Sequence, residues 1–209
     1  RSPAALCPDG PSALPLAEPA VAAAVRRALA RPLCLRPDNF TPPQRTPWGG
    51  TRILSQLKHD LTAAPPCVVG ESWEVSDDPL FPSRVRLSGR AVGCEAGSEV
   101  GLPDLLDCFG EAILGPALHA SAGGRLPLLV KLLDAARDLS VQVHPPLGDP
   151  RLGPLESGKT EAWVVLDHAP GAGLFLGLAP SVTHTDIRRA VAEGRDLRPL
   201  LRFVLARRM

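Results

Sequence analysis

From residue 33 onward the chain alternates short apolar runs with proline and glycine. Short apolar runs closed by such residues are typical of β-strands joined by turns. The runs with this pattern are residues 52–54, 72–75, 84–87, 126–133, 139–144, 160–166 and 174–178. With 24 prolines and 19 glycines among 209 residues, such turn-forming residues recur along the chain. We therefore expect a mainly β domain built as a sandwich or barrel.

Helical insertions are expected at two places in this domain. Residues 102–114 carry apolar side chains at helical spacing, namely Leu102, Leu105, Leu106, Phe109 and Ile113. A second helix is expected to begin at Thr183, because its hydroxyl can cap the first turn with support from Asp186. Gly194 is expected to end that helix.

The first 31 residues differ from the rest in composition. Residues 1–18 are rich in Pro, Ala and Ser, which predicts a flexible leader. Pro19 suits a first helical position, and the alanine-rich run that follows favours a helix to about Arg31. We divide the chain into a leader with a helix, residues 1–31, and a main domain, residues 32–209. We expect the helix to be a surface extension without chemistry.

Charge and cysteine content exclude several classes of function. The 23 basic and 22 acidic residues give a formal net charge of +1 with no basic stripe, so we expect no nucleic-acid partner. The five cysteines, an odd number without a CxxC pair, predict reduced thiols in the cytoplasm. The apolar run 20–25 is too short to span a membrane, and prolines interrupt residues 1–19, so we expect neither a membrane anchor nor a signal peptide.

Two segments carry side chains that can bind a metal ion. In a strand over residues 139–144, Gln142 and His144 share one face. Glu161 lies in the second strand-like run, 160–166, which can pair with the first and point to the same cavity. Amide oxygen, imidazole and carboxylate form a ligand set suited to zinc with open positions. The alternatives are a hydrogen-bonded structural histidine and an ion pair between Glu161 and Lys159.

The sequences of these segments, LSVQVHP followed by GKTEAW, resemble those of the type I phosphomannose isomerases. These are zinc-dependent mannose-6-phosphate isomerases of the cupin superfamily. Three further motifs occur in the family's order and spacing: PWGG at 47–50, GESWEVS at 70–76 and LPLLVK at 126–131. The resemblance covers roughly residues 33–205. It implies a cupin-type jelly roll with helical insertions and an N-terminal helical extension.

The resemblance also implies a function and a site. It implies interconversion of mannose 6-phosphate and fructose 6-phosphate, in which a proton moves between C1 and C2 through an enediol. Zinc would be bound by Gln142, His144 and Glu161, and the intact protein would be a monomer. The family's fourth ligand is a histidine in a later segment, and none matches before Met209. We therefore expect the C-terminal part of the barrel to be missing, with little isomerase activity and a tendency to aggregate.

Two lysines are candidates for contact with the sugar phosphate. Lys159 precedes Thr160 and Glu161, so it can reach a substrate phosphate or assist proton transfer; the alternative is a surface ion pair. Lys131 shares a strand face with Leu129 and Leu133 and ranks second.

Other motif residues are expected to be structural. Trp48, Trp73 and Glu74 read as core or scaffold residues, and Gly49-Gly50 as a turn. His168 and His184 are not expected to replace the missing ligand.

Two other functions stay open at this point. The chain could be a catalytically silent cupin fragment that binds sugar phosphate or a partner. It could also be a metal-dependent cupin oxidoreductase, although the GESWE and KTEAW motifs disfavour that function.

Overall fold

The computed structural model describes residues 16, 19–61, 68–87, 99–153 and 158–207. The chain divides into two compact units, Arg1–Asp138 and Leu139–Met209. Helices and two-stranded antiparallel sheets occur in both units.

The first unit contains three α-helices and four strands among its described residues. The helices are α1 (Pro19–Ala28), α2 (Leu102–Leu114) and α3 (Pro116–Ser121); the strands are β1 (Glu71–Val75), β2 (Arg84–Arg86), β3 (Glu99–Gly101) and β4 (Val130–Leu133). β1 pairs with β4, and β2 pairs with β3, both antiparallel. A π-helical turn, Ile53–Leu57, and a 3-10 turn, His59–Leu61, lie before β1.

The second unit is built around a two-stranded antiparallel sheet and one α-helix. β5 (Gly173–Leu178) pairs antiparallel with β6 (Leu201–Leu205), and α4 (His184–Ala192) lies between them in sequence. A 3-10 turn, Arg198–Leu200, leads into β6. Apolar side chains of these two strands are exposed to solvent, for example Leu176 at 57% and Leu205 at 60%.

The main core of the first unit joins α1 and α2 to the small sheet of β2 and β3. Val25, Val85 and Leu105 are each 0% exposed in this cluster. The Arg26 guanidinium lies 5.3 Å from the centroid of the Phe109 ring. The expectation that α1 is a surface extension is therefore wrong, because its apolar stripe is needed to cover α2. The domain division at residue 32 stays a prediction.

The described part of the chain is mixed helix and sheet, not mainly β. The predicted helices at 102–114 and after Thr183 are confirmed, as are strands at 72–75, 84–87 and 174–178 within a residue or two. The strand expected at 126–133 is confined to β4. Residues 52–54 enter the π-helical turn instead, since adjacent Ile53 and Leu54 are both buried, which a half-buried strand does not allow.

Neither residues 139–144 nor residues 160–166 form a strand, although both ranges are described. Their apolar alternation gave a strand-like pattern, yet Val143, an apolar residue of that pattern, is 91% exposed. Alternation shows that a segment can form a strand; a neighbouring strand must supply the hydrogen bonds. The two segments are nevertheless held close together by other contacts.

The glycine pair of the PWGG motif allows the close approach of another backbone segment at Gly49 and of a side chain at Gly50. A Cβ added to Gly49 would lie 2.5 Å from the backbone nitrogen of Gly70, and one added to Gly50 would lie 2.3 Å from Asp134 Oδ2. Both glycines form isolated bridges, to Ala135 and Val69. The expectation that the pair only makes a turn is therefore corrected.

Replacing Gly49 with alanine is expected to lower the free energy of unfolding by about 1–3 kcal/mol, because backbone atoms must move apart to admit the methyl group. The matched control is Gly101→Ala. There the nearest atom is the movable Asp104 carboxylate, at 2.7 Å, and the backbone angles suit alanine, so a neutral or slightly stabilising effect is expected. Urea unfolding of both variants checks this, and equal effects would contradict it.

A capping box begins α4. Thr183 Oγ1 accepts from the Asp186 backbone N–H at 3.3 Å, and the Thr183 backbone N–H donates to Asp186 Oδ2 at 2.9 Å. Hydrogen bonds from the Thr183 hydroxyl and then from its backbone lower the pKa of Asp186. The predicted cap is thus confirmed in both of its halves.

Removing this cap by Thr183→Ala is expected to lower the free energy of unfolding by about 0.5–2 kcal/mol. Thr185→Ala serves as the control, since Thr185 is an exposed residue of the same first turn and its loss is expected to change stability by under about 0.5 kcal/mol. Amide hydrogen exchange over 184–192 should quicken only in the first variant. Identical exchange in both would count against the cap.

Within the described residues, no helix has the length and apolar character needed to cross a membrane. Cys34 and Cys108 are free and exposed.

Candidate metal and substrate site

A close backbone contact brings the VQVHP and GKTEAW motifs together in the second unit. The Lys159 backbone N–H donates to the Pro145 carbonyl at 3.2 Å. A Cβ added to Gly158 would lie 2.3 Å from both the Pro146 carbonyl carbon and the Leu147 nitrogen. Glycine at 158 therefore lets the second segment touch the turn that follows His144.

Three side chains of the two motifs converge as a result. Glu161 Oε2 lies 3.7 Å from His144 Nε2, and Glu161 Oε1 lies 2.5 Å from Lys159 Nζ. Lys159 Nζ also lies 3.5 Å from His144 Nε2. An imidazole, a carboxylate and an ammonium thus surround one point, although the segments that carry them are not strands.

Gln142 is the predicted ligand that the contacts do not bring to this point. Its side-chain amide nitrogen donates to Ser140 Oγ at 2.9 Å, and the residue is exposed. Among the described residues, no group of three His, Cys, Asp or Glu side chains is arranged to hold a metal ion. A metal site at His144 and Glu161 would therefore need a further ligand, either the Gln142 amide oxygen or a group other than the described His, Cys, Asp and Glu side chains.

The cluster is open to solvent and accessible to a ligand. The side chains of His144, Lys159 and Glu161 are 30%, 37% and 33% exposed. An ion pair with this exposure is worth under about 1 kcal/mol, so it is easily exchanged for another partner. A groove of about 400 Å³ is lined by Val143 and Pro145, the two sequence neighbours of His144, together with Asp149, Arg151 and Leu152. The Arg151 guanidinium lowers the pKa of Asp149 to about 2.

Lys131 lies in the first unit, in a cluster with the GESWE motif. Its Nζ lies 3.0 Å from Glu71 Oε1 and 5.1 Å from the Trp73 ring centroid, and Trp73 Nε1 donates to Glu71 Oε2 at 2.8 Å. The antiparallel register of β1 and β4, which pairs Trp73 with Lys131, produces this arrangement. Sequence reasoning did not single out Glu71, because the signal is the pairing of two strands distant in sequence.

Lys58 and Glu74 form a structural ion pair. Lys58 is 8% exposed, and its Nζ lies 2.6 Å from Glu74 Oε1. Glu74 is therefore structural, as predicted, and so is Trp73, which is 6% exposed. Each of the chain's lysines, at 58, 131 and 159, forms an ion pair with a glutamate.

The other histidines lie in separate local settings. His168 Nδ1 lies 3.0 Å from the Ala169 carbonyl oxygen, and His184 is the first residue of α4, where Thr183 supplies the cap. His119 packs beside Gly110, since a Cβ added there would lie 2.7 Å from His119 Cδ2. That neither His168 nor His184 completes the metal site stays a prediction.

Comparison with known proteins places the chain in a family. Residues 44–168 match the family model for the catalytic domain of type I phosphomannose isomerase. The chain is 35% identical over 166 residues to the "Probable mannose-6-phosphate isomerase GmuF" of Bacillus subtilis, covering 75% of this chain and 45% of that protein. It is 32% identical over 148 residues to a mannose-6-phosphate isomerase of Streptococcus mutans, covering 70% and 42%.

The chain spans less than half the length of these two relatives. No solved structure matches it. The matched region, 44–168, contains the PWGG, GESWE, QVHP and KTEAW motifs and includes the cluster at His144, Lys159 and Glu161. Since the family model covers more than half of the sequence, this chain belongs to the type I phosphomannose isomerase family.

Proposed function

We propose that the chain carries the zinc-binding catalytic part of an aldose-ketose isomerase that interconverts mannose 6-phosphate and fructose 6-phosphate. The observation that carries this proposal is the convergence of His144, Lys159 and Glu161 from two separate motifs. Family membership supports the reaction class, and the relatives' names supply the sugar phosphate.

The donor set fits zinc. Two ligands of a tetrahedral zinc ion with bonds of about 2.1 Å lie about 3.4 Å apart. The 3.7 Å between His144 Nε2 and Glu161 Oε2 is close to that separation. The Lys159 ammonium contacts both groups, which supports a local field that attracts positive charge. We propose His144, Glu161 and the amide oxygen of Gln142 as the zinc ligands, and Gln142 would turn from Ser140 to join them.

The lysines are proposed to bind and orient the substrate. Lys159 Nζ, at the edge of the cluster, would contact the substrate phosphate or assist the proton transfer between C1 and C2. Lys131 is proposed as a second substrate contact. The groove lined by Val143 and Pro145 has the size of a small-ligand site.

Zinc, when bound, supplies a Lewis acid that polarises the sugar oxygens at C1 and C2. The chain's own residues position the metal ion and the substrate. His144 and Glu161 hold their donor atoms near one point, and the carboxylate balances positive charge there. Lys159 brings a hydrogen-bond donor to the same point and raises the affinity of the proposed site for an anionic sugar.

Family membership also supports proposals about the complete protein. We propose that the small sheets belong to a cupin-type jelly roll, and that the protein is a cytoplasmic monomer whose partner is its sugar phosphate.

A second candidate is a sugar-phosphate-binding module without catalysis. The position of the Lys159 ammonium between Glu161 and His144 favours it, because an ammonium is already paired where a metal ion would bind.

A coupled assay separates the two candidates. The chain is incubated with zinc and mannose 6-phosphate, and formation of fructose 6-phosphate is followed for the wild type and for Glu161→Gln. Zinc-dependent turnover, or zinc binding measured by calorimetry, that is lost in the variant supports the isomerase site. Binding of mannose 6-phosphate without any zinc binding supports the module. Absence of zinc binding, sugar-phosphate binding and turnover would contradict both.

A further inference from the structure

Lys159 places a positive charge at the point where two proposed metal ligands meet. Its Nζ is 2.5 Å from Glu161 Oε1 and 3.5 Å from His144 Nε2, and these two partners are 3.7 Å apart. The ammonium therefore contacts both a carboxylate and an imidazole, the pair of groups that would bind a divalent ion.

The local backbone favours this contact. Lys159 and Glu161 are two residues apart, and Lys159 Nζ lies 2.5 Å from Glu161 Oε1. Gly158 permits the close approach to Pro146, and the Lys159 backbone N–H fixes that approach through the Pro145 carbonyl. The contact thus needs only the two motifs and no distant part of the chain.

An ammonium and a metal ion cannot both occupy this point. A zinc ion about 2.1 Å from His144 Nε2 would lie within about 6 Å of an ammonium that stayed 3.5 Å from the same nitrogen. Two cations at that distance repel each other. Solvent around the partly exposed cluster weakens the repulsion but leaves its sign unchanged.

We propose that the Lys159 ammonium is a built-in placeholder for the metal ion, one that neutralises Glu161 in the metal-free protein and is displaced when metal binds. This inference rests on the proposed zinc site. It adds that Lys159 opposes metal binding, whereas a lysine that served only as a substrate contact would leave metal affinity unchanged. The displaced side chain would then be available to an anionic ligand.

The first test measures zinc affinity of the 209-residue chain by competition with a chromophoric chelator. Lys159→Met keeps the length of the stem and removes the charge, so zinc is expected to bind roughly two- to fivefold more tightly, because the loss of a weak, partly exposed ion pair can change an affinity only by about that factor. Lys159→Arg keeps the charge and should bind like the wild type. Arg195→Met is the matched control, because it removes a cation from the exposed i, i+2 pair with Glu193 in the same unit.

The outcomes separate this inference from the zinc site itself. Equal or weaker binding by Lys159→Met, with Glu161→Gln still reducing affinity, would overturn the placeholder and leave the zinc site standing. Unchanged affinity in Glu161→Gln would reject the zinc site, and the placeholder with it. If Arg195→Met also binds zinc more tightly, the increase in affinity follows from the change in net charge and not from the position of Lys159. That result would also overturn the placeholder.

A second measurement uses the wild type alone, so it does not depend on the folding of any variant. The sequence has three lysines, so protein labelled with carbon-13 at the lysine ε position gives three resonances. Zinc should move the Lys159 resonance and leave those of Lys58 and Lys131 in place, since both keep their glutamate partners in the first unit. A stationary Lys159 signal at saturating zinc would contradict displacement.

Discussion

Replacing His144 with alanine is expected to weaken zinc binding by more than about 100-fold. Even groups that only support zinc ligands typically cost 10- to 100-fold in affinity when they are removed, and His144 is proposed as a direct ligand. Its Nε2 lies 3.7 Å from Glu161 Oε2, so removing the ring leaves the carboxylate without its nearest proposed co-ligand. Metal analysis after dialysis, with chelator competition for the affinity, measures the loss.

His184→Ala is the control for this experiment. His184 is also exposed and belongs to the same unit, but it begins α4 beside the Thr183 cap. The free thiols Cys34 and Cys108 could capture zinc, so cobalt should be bound in parallel and its spectrum checked for thiolate bands. Equal loss of zinc in both histidine variants would show that His144 is the wrong ligand.

Lys58→Met is expected to lower the free energy of unfolding by about 2–3 kcal/mol. The ammonium donates to the Pro37 carbonyl at 2.5 Å, to Ser72 Oγ at 2.9 Å and to Glu74 Oε1 at 2.6 Å. Removing one partner of a fully buried pair costs about 3–5 kcal/mol, and we expect a smaller loss here because the Glu74 side chain is 28% exposed. Methionine keeps the apolar stem, so the change isolates the charge and its hydrogen bonds.

Urea unfolding measures this effect, with Arg195→Met as the matched control. Arg195 pairs with Glu193, and both side chains are about half exposed, at 53% and 50%, so its loss should change stability by under about 0.5 kcal/mol. A double variant with Glu74→Gln should lose less than the sum of the two single changes, because the residues share one interaction. Similar losses in Lys58→Met and Arg195→Met would show that the buried pair contributes no more than an exposed one.

Local sequence signals predicted the local elements well. The apolar spacing in 102–114 gave α2, and the Thr183 and Asp186 pair gave the start of α4, because both signals depend on neighbours within one helical turn. Short alternating runs were less reliable, since residues 139–144 show alternation without a strand. A strand needs a partner strand, and alternation by itself does not supply one.

For the site, too, some features could be predicted from the sequence and others could not. The motif residues His144, Lys159 and Glu161 could be named from sequence, and the local ion pair of the latter two was one of the stated alternatives. The buried role of Lys58 and the pairing of Glu71 with Lys131 could not be predicted. Both depend on which strands and turns meet across 14 to 60 residues of chain.

The sequence by itself determined the family, the donor types of the candidate site and the caps and apolar stripes of its helices. These properties reside in single side chains and in contacts a few residues apart. Only the tertiary structure decided that α1 belongs to the core and that Gly49 and Gly158 permit backbone contacts. It alone brought the Lys159 and Glu161 side chains to His144. Those outcomes depend on excluded volume and charge between segments that the chain brings together on folding, which composition and periodicity do not specify.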